Sequence, residues 1–123
     1  MSDRRAVATP DVPPPMGPYS QAIAGGGYLF CSGQVGSVEG GVGPQTREVM
    51  AKLGKVLAAD GLTFADVVKT TIYLTDMRDF AAMNAAYAES FADVAPPARS
   101  TIGVVKLPRP QGLVEVELIA RRR

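Results

Sequence analysis

Two stretches of the sequence hold residue types that could do chemistry on a small anionic molecule. The first is VAPPARSTIG at residues 94–103, where Pro96 and Pro97 precede Arg99. Proline fixes its own φ and drives the residue before it towards extended geometry, so Arg99 stands on a stiff mount. The second is LVEVELIA at residues 113–120, which alternates Glu115 and Glu117 with apolar side chains. A planar guanidinium can hold a carboxylate through two hydrogen bonds, and a glutamate beside the held molecule can serve as general acid or base. The short connection KLPRPQG between the two stretches predicts that they pair as neighbouring strands, with Arg99 and Glu115 within reach of each other. The plainer reading of the same two residues is a structural salt bridge at a sheet edge or subunit interface.

The absent residue types narrow the chemistry further. The 123 residues contain no histidine, which removes Ser-His-Asp and Cys-His catalysis together with the commonest transition-metal ligand. The single cysteine, Cys31, can form no internal disulfide and argues against a zinc site. In an alternating strand its side chain points opposite to Tyr28, Phe30, Ser32 and Gln34, the placement of a small buried hydrophobe rather than of an activated nucleophile. The glycine clusters GGG and GGVG lack the spacing of a phosphate-binding loop. A formal net charge of +1 supplies no general attraction to nucleic acid, and the terminal Arg121, Arg122 and Arg123 read as a solvated tail. No apolar run reaches bilayer length, and MSDRRAVATP lacks the apolar stretch of a signal peptide, so a soluble, cytoplasmic protein is expected.

The elements that must position these residues follow from hydrophobic periodicity. At this length and 46% hydrophobic content, residues 1–123 make one domain. Residues 1–18, ending in PPPMGP, predict an extended arm with no strand before Tyr19. YSQAI and YLFCSGQVG flank a glycine run and predict a hairpin, followed by a loop or short third strand in SVEGGVGP. Val49, Met50, Leu53, Val56 and Leu57 line one helical face within residues 45–61, with Gly61 as the stop. VVKTTIYLT is rich in β-branched residues and predicts a strand with Val68, Thr70, Ile72 and Leu74 on one face. A second helix follows, capped by Asp76, with Phe80, Met83, Tyr87 and Phe91 as its stripe and Asn84 on that stripe, placed either to satisfy a core backbone group or to line a pocket. Of the last two strands, the final one turns Val114, Val116 and Leu118 one way and Leu113, Glu115, Glu117 and Ile119 the other; in the one before it, Ile102 and Val104 oppose Thr101, Gly103 and Val105. Two helices cover one side of such a sheet, which leaves Leu113, Ile119 and Val105 on a second face and predicts a homo-oligomer built through it.

Taken together, GPYSQA, CSGQVG, VVKTTIYLTDMRDFAAMNAAY, PPARST and LVEVELIA resemble the Rid family, also called YjgF, reactive intermediate deaminase or endoribonuclease L-PSP. The resemblance covers nearly the whole chain. It implies an α+β, chorismate-mutase-like fold: a mixed six-stranded sheet with two helices on one face, assembled as a homotrimer with ligand clefts between subunits. It also implies hydrolysis of 2-imino acids, the tautomers of enamines such as 2-aminoacrylate, to 2-oxo acids and ammonia, without a cofactor or metal. Carried onto this sequence, Arg99 matches the arginine that grips the substrate carboxylate and Glu115 the glutamate that helps activate water. Tyr19, Ser32, Gly33, Asn84 and Thr101 match positions that border the ligand. Many imine deaminases of the family carry cysteine where this chain has Thr101. The family label also brings two rival activities into view, an RNA-cleaving or translation-inhibiting protein and a non-catalytic carboxylate-binding or chaperone-like trimer. The near-neutral charge speaks against the first.

Overall fold

The computed structural model describes residues 3–123. Alternating apolar residues produce six strands: β1 (Arg5–Val7), β2 (Ala22–Gly25), β3 (Tyr28–Val35), β4 (Val67–Leu74), β5 (Ala98–Gly103) and β6 (Val114–Arg121). The 3.6-residue periodicity produces α1 (Val42–Ala59) and α2 (Phe80–Ala88), the latter flanked by single 3-10 turns. The strands form one mixed sheet in the order β1-β2-β3-β6-β4-β5, antiparallel throughout except for the parallel β4–β5 pair. Gly26 and Gly27, both at positive φ, supply the two-residue turn between β2 and β3.

Both helices pack on one face of this sheet. The five apolar residues expected along α1 are all buried, against Leu29, Ile72, Leu74, Val114 and Val116 of the strands. Gly61 ends α1 at φ +73°, as expected. Asp76 caps the first turn before α2 by accepting a hydrogen bond from the Arg78 amide. Among the described residues no helix is long and apolar enough to cross a membrane.

Several expectations are corrected. The arm does hold a strand: β1 pairs with β2, and buried Gln21 fixes the segment by accepting from the Thr9 amide at 2.8 Å and donating to the Thr9 carbonyl at 3.1 Å. Conversely, SVEGGVGP forms no strand, so the sixth strand comes from the arm. β5 and β6 do not pair. A strand, helix and strand in succession close as a parallel unit, so β5 lies beside β4 at the sheet edge while β6 inserts between β3 and β4. In β4 a register shift between Val67 and Lys69 turns Val67 inward and leaves Val68 exposed. Phe80 leaves the apolar stripe of α2 and is exposed, whereas Met83, Tyr87 and Phe91 are buried. On the far face Ile102, opposite Tyr73, takes the place expected for Val105, which lies beyond the strand. The terminal arginines are not simply solvated: Arg122 pairs with Asp60 at 2.7 Å and Arg123 with Asp66 at 2.8 Å.

A candidate active site in two halves

The face of the sheet away from the helices carries the first half. β6 alternates, so Val114, Val116 and Leu118 are buried under the helices while Glu115 and Glu117 point to the other side. There they line a cleft of about 570 Å³ together with Tyr19, Ser32, Gly33 and Arg109. The cleft is walled by the proline-rich arm and the loop before β6. The arm is held in place partly by Ser32, whose hydroxyl donates to the Ser20 carbonyl at 2.6 Å, and by the Met16 amide, which donates to the Tyr19 hydroxyl at 3.1 Å.

Glu115 is half-buried and sits tightly against β3. A β-carbon at position 33 would lie 2.1 Å from Glu115 Oε2, so only glycine there leaves room for the carboxylate. Burial, and then the charge of Glu117, push the Glu115 carboxyl above its ordinary range. A carboxyl tuned upward by burial and a like charge is a better proton acceptor than an ordinary glutamate.

The cleft is supported from behind by α1. Buried Gln45 donates to the Gln111 carbonyl at 2.9 Å and accepts from the Leu113 amide at 2.8 Å, fixing the loop that leads into β6. Glu48 accepts from the Ser37 amide at 2.7 Å, the Ser37 hydroxyl at 2.5 Å and Lys52, a cleft residue, at 2.9 Å. Burial alone would raise the Glu48 carboxyl, but these donors and the Val38 amide outweigh it and hold the group at about 2.

The second half lies on the opposite face. Arg99 is paired in register with Thr70, and Thr70 with Leu118, both buried beneath the helices. Its guanidinium sits over the rings of Tyr87 and Phe80, at 5.2 and 5.6 Å from their centroids. The Tyr87 ring is fixed in turn by a 2.7 Å hydrogen bond between its hydroxyl and that of Thr70. Asn84 falls between Phe80 and Tyr87 along α2, and Thr101 lies two residues beyond Arg99 on the same side of β5. Asn84 Oδ1 and Thr101 Oγ1 are buried and lack a hydrogen-bond partner among the described residues. Nor does Arg99 belong to any salt bridge described for the molecule. A cation on two ring faces, with no carboxylate of its own and spare polar atoms beside it, is equipped to receive an anion.

Within one chain the two halves do not meet, contrary to the expected contact between Arg99 and Glu115. Residues opposite each other on neighbouring strands share a face, and Glu115 lies opposite Tyr73, whose β5 partner is Ile102. Arg99 therefore projects from the other side of the same sheet. The structure groups Tyr19, Ser32, Gly33 and Glu115 in the cleft, and Asn84, Arg99 and Thr101 at the edge of β5. Sequence reasoning took Tyr87 and Phe80 for core and did not single out Lys52, Arg109 or Glu117. The alternation of β6 already placed Glu117 beside Glu115, whereas nothing local pointed to the others.

The profile of the Endoribonuclease L-PSP family matches residues 9–122. The chain belongs to this family. A RutC family protein of Synechocystis is 42% identical, over 94% of this chain and 95% of that protein. A Dermatophagoides farinae protein named 2-iminobutanoate/2-iminopropanoate deaminase is 37% identical, over 97% of each chain. The crystal structure of E. coli TdcF with bound serine superposes with a TM-score of 0.90 at 31% identity, covering 97% of this chain and 99% of that one. This chain thus shares its fold with TdcF over almost the full length of both, and that structure holds a small amino acid ligand.

Proposed function

We propose that this protein hydrolyses reactive 2-imino acids, such as 2-iminopropanoate formed from 2-aminoacrylate, to 2-oxo acids and ammonia, in clefts shared between copies of the chain. The observation that carries this reading is the separation of Arg99 from Glu115 on opposite faces of one sheet. A cyclic assembly, a trimer by resemblance, sets the Arg99 edge of one copy against the Glu115 cleft of the next. The far sheet face suits such an assembly, since it exposes Tyr28, Phe30 and Ile102. The relative named 2-iminobutanoate/2-iminopropanoate deaminase supports the substrate class.

In this scheme Arg99 grips the substrate carboxylate and fixes the C=N carbon opposite the carboxyl of Glu115. With the substrate held as its protonated imine, Glu115 takes a proton from water as its oxygen attacks that carbon, giving a tetrahedral carbinolamine. The same carboxyl passes that proton to the amine nitrogen and then takes the hydroxyl proton as the C–N bond breaks, so that ammonia leaves, the carbonyl forms, and the last proton passes from Glu115 to solvent. The Thr101 hydroxyl can donate to the held carboxylate and the Asn84 carbonyl can accept from an N–H of the substrate, while Tyr19, Ser32 and Gly33 border the cleft. An RNA-cleaving reading has less support, because Arg122 and Arg123 are already committed to Asp60 and Asp66.

The test generates 2-aminoacrylate from serine with an excess of a pyridoxal-phosphate dehydratase, so that imine hydrolysis limits pyruvate formation. Wild-type protein should accelerate the appearance of pyruvate, and Arg99→Ala should not while keeping its assembly. No acceleration by intact wild-type protein would remove this substrate assignment.

A further inference from the structure

We propose that Glu117 is a positioning residue for the cleft: anchored by the Tyr73 hydroxyl on the same face of the sheet, its fixed negative charge makes Glu115 a stronger base, so that one carboxyl can both take and return a proton. The inference rests on the reading of Glu115 as the acid/base group. Three observations carry it. Glu115 and Glu117 are two residues apart on β6, half-buried on one face and lining the same cleft. Tyr73 lies opposite Glu115 in the ladder but spends its hydroxyl on Glu117, to which it donates a short hydrogen bond. The Glu115 carboxylate lies close against the backbone of Gly33, where a β-carbon would be 2.1 Å from its Oε2.

The other groups facing the cleft do not cancel this effect. From α1 comes Lys52, whose ammonium is bonded to Glu48 at 2.9 Å. From the loop before β6 comes Arg109, which makes no salt bridge with either glutamate among the described residues. The arm contributes Tyr19, and β3 contributes Ser32 and Gln34, none of them charged at neutral pH. The remaining like charge is Glu117. The Tyr73 proton is held firmly enough that its hydroxyl is pushed up to about 12, first by the bond to Glu117 and then by burial. That bond holds the Glu117 carboxylate in place on the cleft face, two residues along the strand from Glu115.

The experiment titrates the side-chain carboxyl carbons of protein carrying 13C-glutamate, in its native assembly, by NMR. The chain has five glutamates, and the signal absent from Glu115→Gln identifies the one of interest. In Glu117→Gln the Glu115 midpoint should fall, while the contribution of burial stays. Tyr73→Phe, which removes the hydrogen bond that holds the Glu117 carboxylate in place, should move it the same way by less. The acid limb of kcat/KM for 2-iminopropanoate should follow both shifts. An unchanged Glu115 midpoint in folded Glu117→Gln overturns the proposal; if that variant does not fold, an unchanged midpoint in Tyr73→Phe does so. The titration needs no substrate, so absence of imine hydrolysis by the wild type counts against the deaminase reading alone.

Discussion

The Glu115 carboxylate sits where it does because its neighbour at position 33 has no side chain. The carboxylate occupies the space a β-carbon would fill, at 2.1 Å from the ideal position. The effect of Gly33→Ala therefore falls on the carboxylate rather than on the core. The helix-facing residues keep their packing, while Glu115 must swing away from the cleft wall. We expect kcat/KM for imine hydrolysis to drop at least about tenfold, since proton transfer depends on hydrogen-bond reach, with the native assembly retained on size-exclusion chromatography. Wild-type activity in Gly33→Ala would mean that the position of Glu115 does not limit the reaction. The sequence showed Arg99 and Glu115 as residue types fit for the chemistry, but the need for glycine at 33 was invisible in it. That need arises from β3 and β6 lying side by side, two segments far apart in the chain.

The helices fix the loops, and through them the cleft. The clearest case is Glu48 on α1, which gathers the amides of Ser37 and Val38, the Ser37 hydroxyl and Lys52 around one carboxylate. Its folded-state value of about 2 lies below the ordinary 4.5, so the group favours the folded state wherever the unfolded chain leaves it ionised. The stabilisation is complete above about pH 5 and disappears as pH falls towards 2; linkage alone would give roughly 3 kcal/mol, which solvent screening at this partly exposed carboxylate reduces to the order of 2 kcal/mol. Denaturant unfolding of wild type and Glu48→Gln should differ by that amount at pH 7 and converge near pH 2; a gap independent of pH would refute the assignment. The elements themselves differed in how legible they were. α1 and β6 could be read from periodicity because each buries one complete face. β1 could not, since three residues in a proline-rich arm show no period and owe their strand to the neighbouring β2. The bulge that exchanges Val68 for Val67 in β4 likewise comes from pairing rather than local pattern. The parallel place of β5 was implicit in the succession of strand, helix and strand, yet the short link to β6 suggested a hairpin instead.

At the scale of the molecule, the position of β5 decides how the candidate site is assembled. Had β5 and β6 paired, Arg99 and Glu115 could have met in a single chain; with β6 between β3 and β4, they face opposite sides of the sheet. In the proposed scheme a complete site takes one half from each of two copies, and this has a consequence that a single-chain site cannot share. Arg99→Ala retains an intact Glu115 cleft, and Glu115→Gln retains an intact Arg99 edge, so each variant alone assembles only defective sites. When equal amounts are unfolded together and refolded, an interface is complete if the copy offering the edge is Glu115→Gln and the copy offering the cleft is Arg99→Ala. Random mixing in a closed cyclic oligomer satisfies both conditions at about one interface in four. The mixture should recover about a quarter of wild-type imine hydrolysis, whereas the variants refolded separately and then combined without subunit exchange should recover none. Equal and negligible activity in both preparations, with mixed assembly verified by mass spectrometry of differently tagged chains, would show that Arg99 and Glu115 do not serve one site across an interface.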